Sequence, residues 1–575
     1  MSSSLLIIIA LLLFTAGYLF YGRFVAKKLG LDRNAPTPAH TRKDGVDYVP
    51  AKWPILLGHH FASIAGAAPI IGPITAAVFG WIPVLLWIVF GSIFLGAVHD
   101  LTSLVASVRH KGQSLGEVIE TYIGRKGKSL FLIFAWSTLV LVVAAFTILV
   151  VKTFTSSPSV STSSSLFILL ALIFGFSIYK LKFPLSISSF FGVALLLFCV
   201  WLGNEFPIQF SSDMAVNQEI WTWTVLGYIF IASVTPVWIL LQPRDYLNSF
   251  LLYLVLIVAF FGILIQNPAV KLQPFTHFID PKLGSMFPIL FVTVACGAIS
   301  GFHSLVASGT TSKQLNRETD ARPIGYGGML IEGLLAVIAL VTAIILLPAE
   351  YKSIGSNPIA LFSQGVGSFV TSLGIPQKTG MIFAAMAVSA FALTSLDTAT
   401  RIGRFAFQEF FRSDKQSAVS NFLTNRFIAT FLTLLPGAVL ALTGTYQAIW
   451  PIFGSANQLL AALALLATSV WLQVKQKKNG FLRYPMYFMF AVTLTALLFL
   501  IYQKSSLIIN FYSGQPVPEG FSPGGTIFLL LFALLLFSVA VVLVLEAYRS
   551  LRKKEEGKRK KEEGCRPEKS LQFLL

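Results

Sequence analysis

Apolar segments of about twenty residues recur along this 575-residue chain, and that recurrence leaves few folds open. Fifteen candidate spans are read: 4–22, 54–80, 82–108, 129–151, 164–179, 185–203, 221–241, 247–266, 287–310, 324–347, 379–400, 427–443, 447–473, 484–502 and 525–547. In hydrocarbon every backbone polar group needs a partner within the protein, so such segments become helices. The expected fold class is an all-α polytopic membrane protein. Only 12% of residues are charged, about half the share usual in a soluble domain.

The net charge of +18 would suit nucleic acid if it were spread evenly. It is not. With the N-terminus outside, the inner stretches hold 37 of the 43 Lys and Arg. The outer six are Lys152, Lys271, Lys282, Lys352, Lys378 and Lys504. This positive-inside pattern predicts N-terminus out and C-terminus in, with a lipid bilayer rather than nucleic acid as partner. Residues 1–22 lack a leading basic stretch, so they read as an uncleaved first helix. Ser156 to Ser165 reads as a flexible loop, and 349–378 as a longer outer loop. The three cysteines show no paired spacing.

One span departs from plain apolarity. Gly58 to Pro73 holds His59 and His60, then Gly66, Pro69, Gly72 and Pro73. Interrupted spans mark binding sites in transporters. A half-helix starting near Gly72 and Pro73 would present free amides to a substrate carboxylate. Phe61-Ala62-Ser63-Ile64 before Pro69 is echoed by Ile231-Ala232-Ser233-Val234 before Pro236, five spans later and in the opposite direction. That faint echo is what an inverted five-helix repeat predicts. A second polar span, 297–312, carries Ser300, His303, Ser308, Thr310 and Thr311. Ionisable residues within spans are functional candidates by default: His59, His60, His303, Asp100 and Asp397 form a plausible polar cluster. It can pack helices by hydrogen bonds, contact substrate or relay protons, or bind a metal. Glu332 lies well inside its span, and Asn457 and Gln458 suit hydrogen bonds between helices.

Taken together, several long strings resemble the carbon starvation protein A family of bacterial inner-membrane transporters. They are Asp44 to Pro50, Gly58 to Pro73, Gln242 to Tyr246, Gly297 to Ser312, Asp320 to Gly327, Leu396 to Arg404 and Trp450 to Leu463. The resemblance implies ion-driven uptake of pyruvate or small peptides during carbon starvation, with a proton as the expected coupling ion. It also implies likeness to the amino acid–polyamine–cation superfamily, whose core is a five-plus-five inverted repeat. On that frame 1–53 is a first helix and basic connection, 54–400 the ten-helix core, 401–547 further C-terminal spans and 548–575 a charged tail. The first, sixth and eighth core helices would be 54–80, 221–241 and 287–310. In sodium-using relatives the first and eighth share a cation site, which would place the Ala62 and Ala65 carbonyls near Ser308, Thr310 and Thr311.

The expected protein is thus a secondary transporter and not an enzyme. His59, His60, Gly66, Pro69, Gly72, Pro73, Ser233, Pro236, Ser300 and His303 are its expected substrate contacts. Ala62, Ala65, Asp100, Ser308, Thr310, Thr311 and Asp397 are its expected ion-coupling residues, for a proton or sodium. No cofactor and no resident metal are expected. The alternatives are a membrane metal or redox protein built on the histidines, and a nutrient sensor.

Overall fold

The computed structural model describes residues 2–45, 48–236, 239–412, 417–443, 446–518 and 521–564. Val46 and Asp47 of the Asp44 to Pro50 string, Cys565 and the end of the tail lie outside them. Among the described residues, 12 helices are long and apolar enough to cross a membrane. A bent pair, Trp53–Ile64 with Ala68–Phe79, makes a thirteenth span. The remaining two expected spans, 221–241 and 287–310, take other forms. The first is a helix, Met214–Val234, that starts earlier and stops before Pro236. The second is split into Met286–Thr293 and Gly301–Val306. Large apolar side chains face outward around the bundle, among them Phe20, Leu169, Phe190, Trp201 and Leu531. On a soluble protein that much exposed apolar surface would aggregate; here it suits lipid.

Burial separates centre from rim. The Ala448–Val474 helix is the most enclosed, with 94% of its central stretch buried, whereas Leu185–Glu205 has 22%. Small residues let the central helices approach closely. A Cβ on Gly301 would sit 2.5 Å from the Ala461 amide, and one on Gly297 2.7 Å from the Ala336 Cβ.

Two expected loops are helical. Pro158–Tyr179 begins inside the Ser/Thr-rich stretch, because Pro158 suits a first turn and the hydroxyls bond carbonyls. Ser161 and Thr162 donate to the Ile208 and Phe206 carbonyls at 2.9 and 2.8 Å. Within 349–378, Asn357 caps a 14-residue helix, Pro358–Thr371. Its Gly365 leaves room for Thr342, whose Cβ would lie 2.5 Å from an added Cβ. This helix is too short to read as a span, yet one face is buried.

Helix ends gather at two poles. At one, the Ser3 amide bonds the Pro268 carbonyl, the Trp81 amide bonds Gln273, the Lys271 amide bonds Ile344, and the Tyr351 hydroxyl bonds Ile74. At the other, Arg109 donates to Glu318 at 2.7 and 3.0 Å and to the Leu29 and Gly30 carbonyls, and Lys477 also reaches Leu29. This pole carries the basic loops. The loops around Leu29, Arg109, Glu318 and Lys477, which the charge pattern puts on one side, meet at this pole.

Candidate transport site

The first broken span leaves helical geometry at Ala65, whose ψ is 76°. The Gly66 amide turns back to the Ile64 carbonyl at 2.9 Å, and a new helix starts at Ala68 with Pro69 in its first turn. The two halves bend by 50°. This corrects the expected start near Gly72 and Pro73, which lie inside the second half-helix. Pro69 has the first-turn position in which a missing N–H costs nothing. Gly72 has a packing reason instead: a Cβ there would lie 2.6 Å from the Thr293 carbonyl oxygen.

That contact belongs to the second broken span. His60 meets Thr311, the Pro69 backbone faces Gly297, and Gly72 faces Thr293. Rising numbers on one strand of contacts pair with falling numbers on the other. The two spans therefore run antiparallel, with breaks 65–67 and 294–300 side by side. The second break is held by the Ala448–Val474 helix. Asn457 Oδ1 accepts from the Phe302 amide at 2.9 Å, and Gln458 Nε2 donates to the Phe291 carbonyl at 2.8 Å. Trp87 Nε1 donates to the Val294 carbonyl at 3.1 Å, and Ser92 to Gly297 at 3.0 Å. Between the breaks lies a cavity of about 10 Å³, lined by Ile64, Gly66, Ala68, Phe302, Ser395 and Asn457 among others. It holds about one water. In the first turn of the Ala68 half-helix the Ile70 and Ile71 amides donate to the Ala67 carbonyl at 3.1 Å and Pro69 carries no N–H, which leaves the Ala68 amide.

Two buried charged groups flank the breaks. In one, His303 Nδ1 lies 2.8 Å from Asp100 Oδ2, His99 Nδ1 lies 2.7 Å from Asp100 Oδ1, and His303 Nε2 lies 3.2 Å from Glu332 Oε2. In the other, Arg244 pairs with Asp397, accompanied by the Tyr228 hydroxyl, 2.9 Å from Asp397 Oδ2. Arg244 also lies 3.5 Å from Asp245, whose Oδ2 is 4.0 Å from His59 Nδ1. Arg244 is fully enclosed, so it is no surface anchor.

The expected site residues thus divide. Gly66 lines the cavity, Pro69 starts the half-helix beside it, and Ser300 donates to Asn457 at 3.3 Å. His303 and Asp100 join one charged group; His59 and Asp397 join the other. His60 reaches Thr311 at 2.8 Å. Ser308 and Thr310 instead donate to the Ser304 and Val306 carbonyls of their own helix. Ala62 and Ala65 are buried in the first broken span. Ser233 and Pro236 do not line the cavity. Ser233 faces Thr430 at 3.3 Å, and its carbonyl accepts from Arg404 at 2.8 Å. Arg401 takes the Ala232 and Thr235 carbonyls, so the two arginines cap this helix end. The break that lies beside the first is the one in 287–310, and the helix end at Val234 lies away from the cavity. Sequence reasoning left out Cys296, Ser395, Tyr228 and Trp87. An intramembrane arginine or glutamate announces itself; a cysteine or tryptophan in an apolar run does not.

The family model described as carbon starvation protein CstA matches residues 2–361 and 355–496. The chain is 33% identical to the peptide transporter CstA of Escherichia coli K12, over 85% of this chain and 80% of that one. It is 33% identical to the peptide transporter CstA of Bacillus subtilis, over 83% and 87%. It is 31% identical to the pyruvate/proton symporter BtsT of Escherichia coli K12, over 90% and 83%. A crystal structure of the Eremococcus coleocola manganese transporter aligns with 88% of this chain and 99% of its own at 15% identity, with a TM-score of 0.46.

Proposed function

Because the chain belongs to the carbon starvation protein CstA family, we propose that it is a proton-coupled secondary transporter that imports a small carboxylate, pyruvate or a short peptide, across a bacterial inner membrane. The supporting observation is the pair of antiparallel broken spans enclosing a cavity. Irregular backbone at membrane depth is tolerated where it lines such a space. The substrate carboxylate sits at the start of the second half-helix, against the Ala68 amide, where the helix dipole favours an anion. Ser395 and Asn457 supply its polar wall, and Phe146, Phe302 and Phe453 its apolar one. The cavity is far smaller than pyruvate, so the halves must part to load it.

The proton is carried beside this site by Asp245. Its Oδ2 has no hydrogen-bond partner. It faces Arg244 on its own helix and His59 on the first broken span, with Asp397 beyond Arg244. Of the charged side chains in this group His59 has some exposure, at 15%, which makes it the entry point for a proton. The ten spans of 54–400 form the moving core, with Ala448–Val474 bracing it.

Labelled pyruvate uptake into proteoliposomes tests this reading, under an imposed proton gradient and with or without excess di- and tripeptides. Accumulation that collapses with a protonophore is expected, and competition by peptides separates the two substrate classes. Accumulation under a sodium gradient alone would overturn proton coupling. No uptake of either substrate under any gradient would overturn transport.

A further inference from the structure

Cys296, His303 and Glu332 come from three separate places: the second break, the half-helix after it, and the Glu318–Ile344 helix. One ligand atom from each lies within 4.8 Å of the other two, and all three residues are buried. Hydrogen bonding does not account for the grouping. Neither Glu332 oxygen has a hydrogen-bond partner, and neither does His303 Nε2, although it lies 3.2 Å from Glu332. A buried carboxylate that faces an imidazole at 3.2 Å and accepts no hydrogen bond is costly. The far side of the imidazole is well served. Nδ1 donates to Asp100, which turns the Nε2 lone pair toward Cys296 and Glu332. Asp100 is itself held by His99. A histidine that binds a metal through one nitrogen and a carboxylate through the other is the usual supporting arrangement of metal sites. Asn457 Nδ2, 3.3 Å from Cys296 Sγ, can donate to a thiolate.

We propose that Cys296, His303 and Glu332 bind a divalent transition metal of the zinc class, with its fourth position open to the cavity between the breaks. One thiolate, one neutral imidazole and one carboxylate neutralise a dication. This is a donor set that zinc accepts and that magnesium or calcium does not favour. Ligand bonds of about 2.0–2.3 Å draw the three donors together by side-chain rotation. Of the three donors, Cys296 lines that cavity. The proposal stands independently of the transport reading.

The test uses the full chain in nanodiscs, purified without chelator, with zinc and cobalt(II) as probes. One zinc per chain is expected by elemental analysis. Cobalt(II) replacement should give a thiolate-to-cobalt charge-transfer band, and zinc should raise the melting temperature. Cys296→Ser should remove the band, while Cys199→Ser keeps it. Glu332→Gln, which retains shape and folds independently of the thiol, should weaken zinc binding by about tenfold or more. A monodisperse wild-type protein with no stoichiometric zinc and no cobalt band overturns the proposal. So does a band that survives Cys296→Ser and vanishes in Cys565→Ser. Loss of transport alone would bear on the proposed function and not on the metal.

Discussion

Asp245 and His59 sit 4.0 Å apart across two helices, with Arg244 committed to Asp397 on the other side. Removing the titratable oxygen while keeping shape separates coupling from binding. Asp245→Asn should abolish proton-driven accumulation while leaving pyruvate exchange within about twofold of wild type, since the altered group does not touch the carboxylate pocket. Full pH-driven accumulation in that variant, measured in proteoliposomes, would exclude Asp245 as the carrier. The candidates themselves were readable, because an ionisable residue in an apolar span is expensive and stands out. Their partners were not. His59 and His60 are adjacent in sequence yet point to Asp245 and Thr311, on different helices. Nothing in the local sequence tells which neighbour each side chain meets. Cys296 was invisible because a free cysteine is an ordinary small apolar residue until a histidine and a glutamate are folded against it.

The two broken spans show how much of an element a sequence reveals. Glycine and proline announced the first break, but two prolines competed for the first turn. Pro69 won because Gly72 is needed for contact with the Thr293 carbonyl. At Gly66 any side chain would collide with the Ser395 hydroxyl. Gly66→Val should therefore cut uptake at least tenfold while the protein still inserts and stays monodisperse. Gly66→Ala, whose single methyl group only needs the Ser395 hydroxyl to turn aside, should cost less than Gly66→Val; an equal loss in both would argue that Gly66 matters for backbone freedom and not for space. Gly72→Leu, by contrast, should lower the yield of folded protein, because backbone cannot give way as a hydroxyl can. The second break was harder to place. Its strongest fixings, Asn457 and Gln458, lie more than 150 positions later. The Ser/Thr-rich stretch misled for a related reason: hydroxyls that suggest a loop can bond helix carbonyls instead.

At the scale of the molecule, the two poles bear on orientation. The lysine-poor pole joins the N-terminus to the 267–285 and 345–351 segments, and the basic pole joins Arg109, Glu318 and Lys477. If the basic pole faces the cytoplasm, as the charge pattern predicts, cysteines placed at Lys282 and Lys352 in a Cys565→Ser background should react with an impermeant maleimide in intact cells. One at Lys477 should react only after permeabilisation. The reverse pattern would invert the protein. The multi-pass all-helical character followed from apolar runs alone, because hydrocarbon permits little else. The internal order did not, since one apolar helix looks much like another until packing picks the centre. The helix so picked has a mechanical consequence. Neighbouring residues on it, Asn457 and Gln458, grip opposite ends of one break. The distance between the grips is set by a single rigid turn, so the two ends are kept from drifting apart, while Trp87 and Ser92 hold the backbone between them. The break is a pinned joint: any movement of its halves in transport has to turn about the Ala448–Val474 axle, because sliding along it would break both grips.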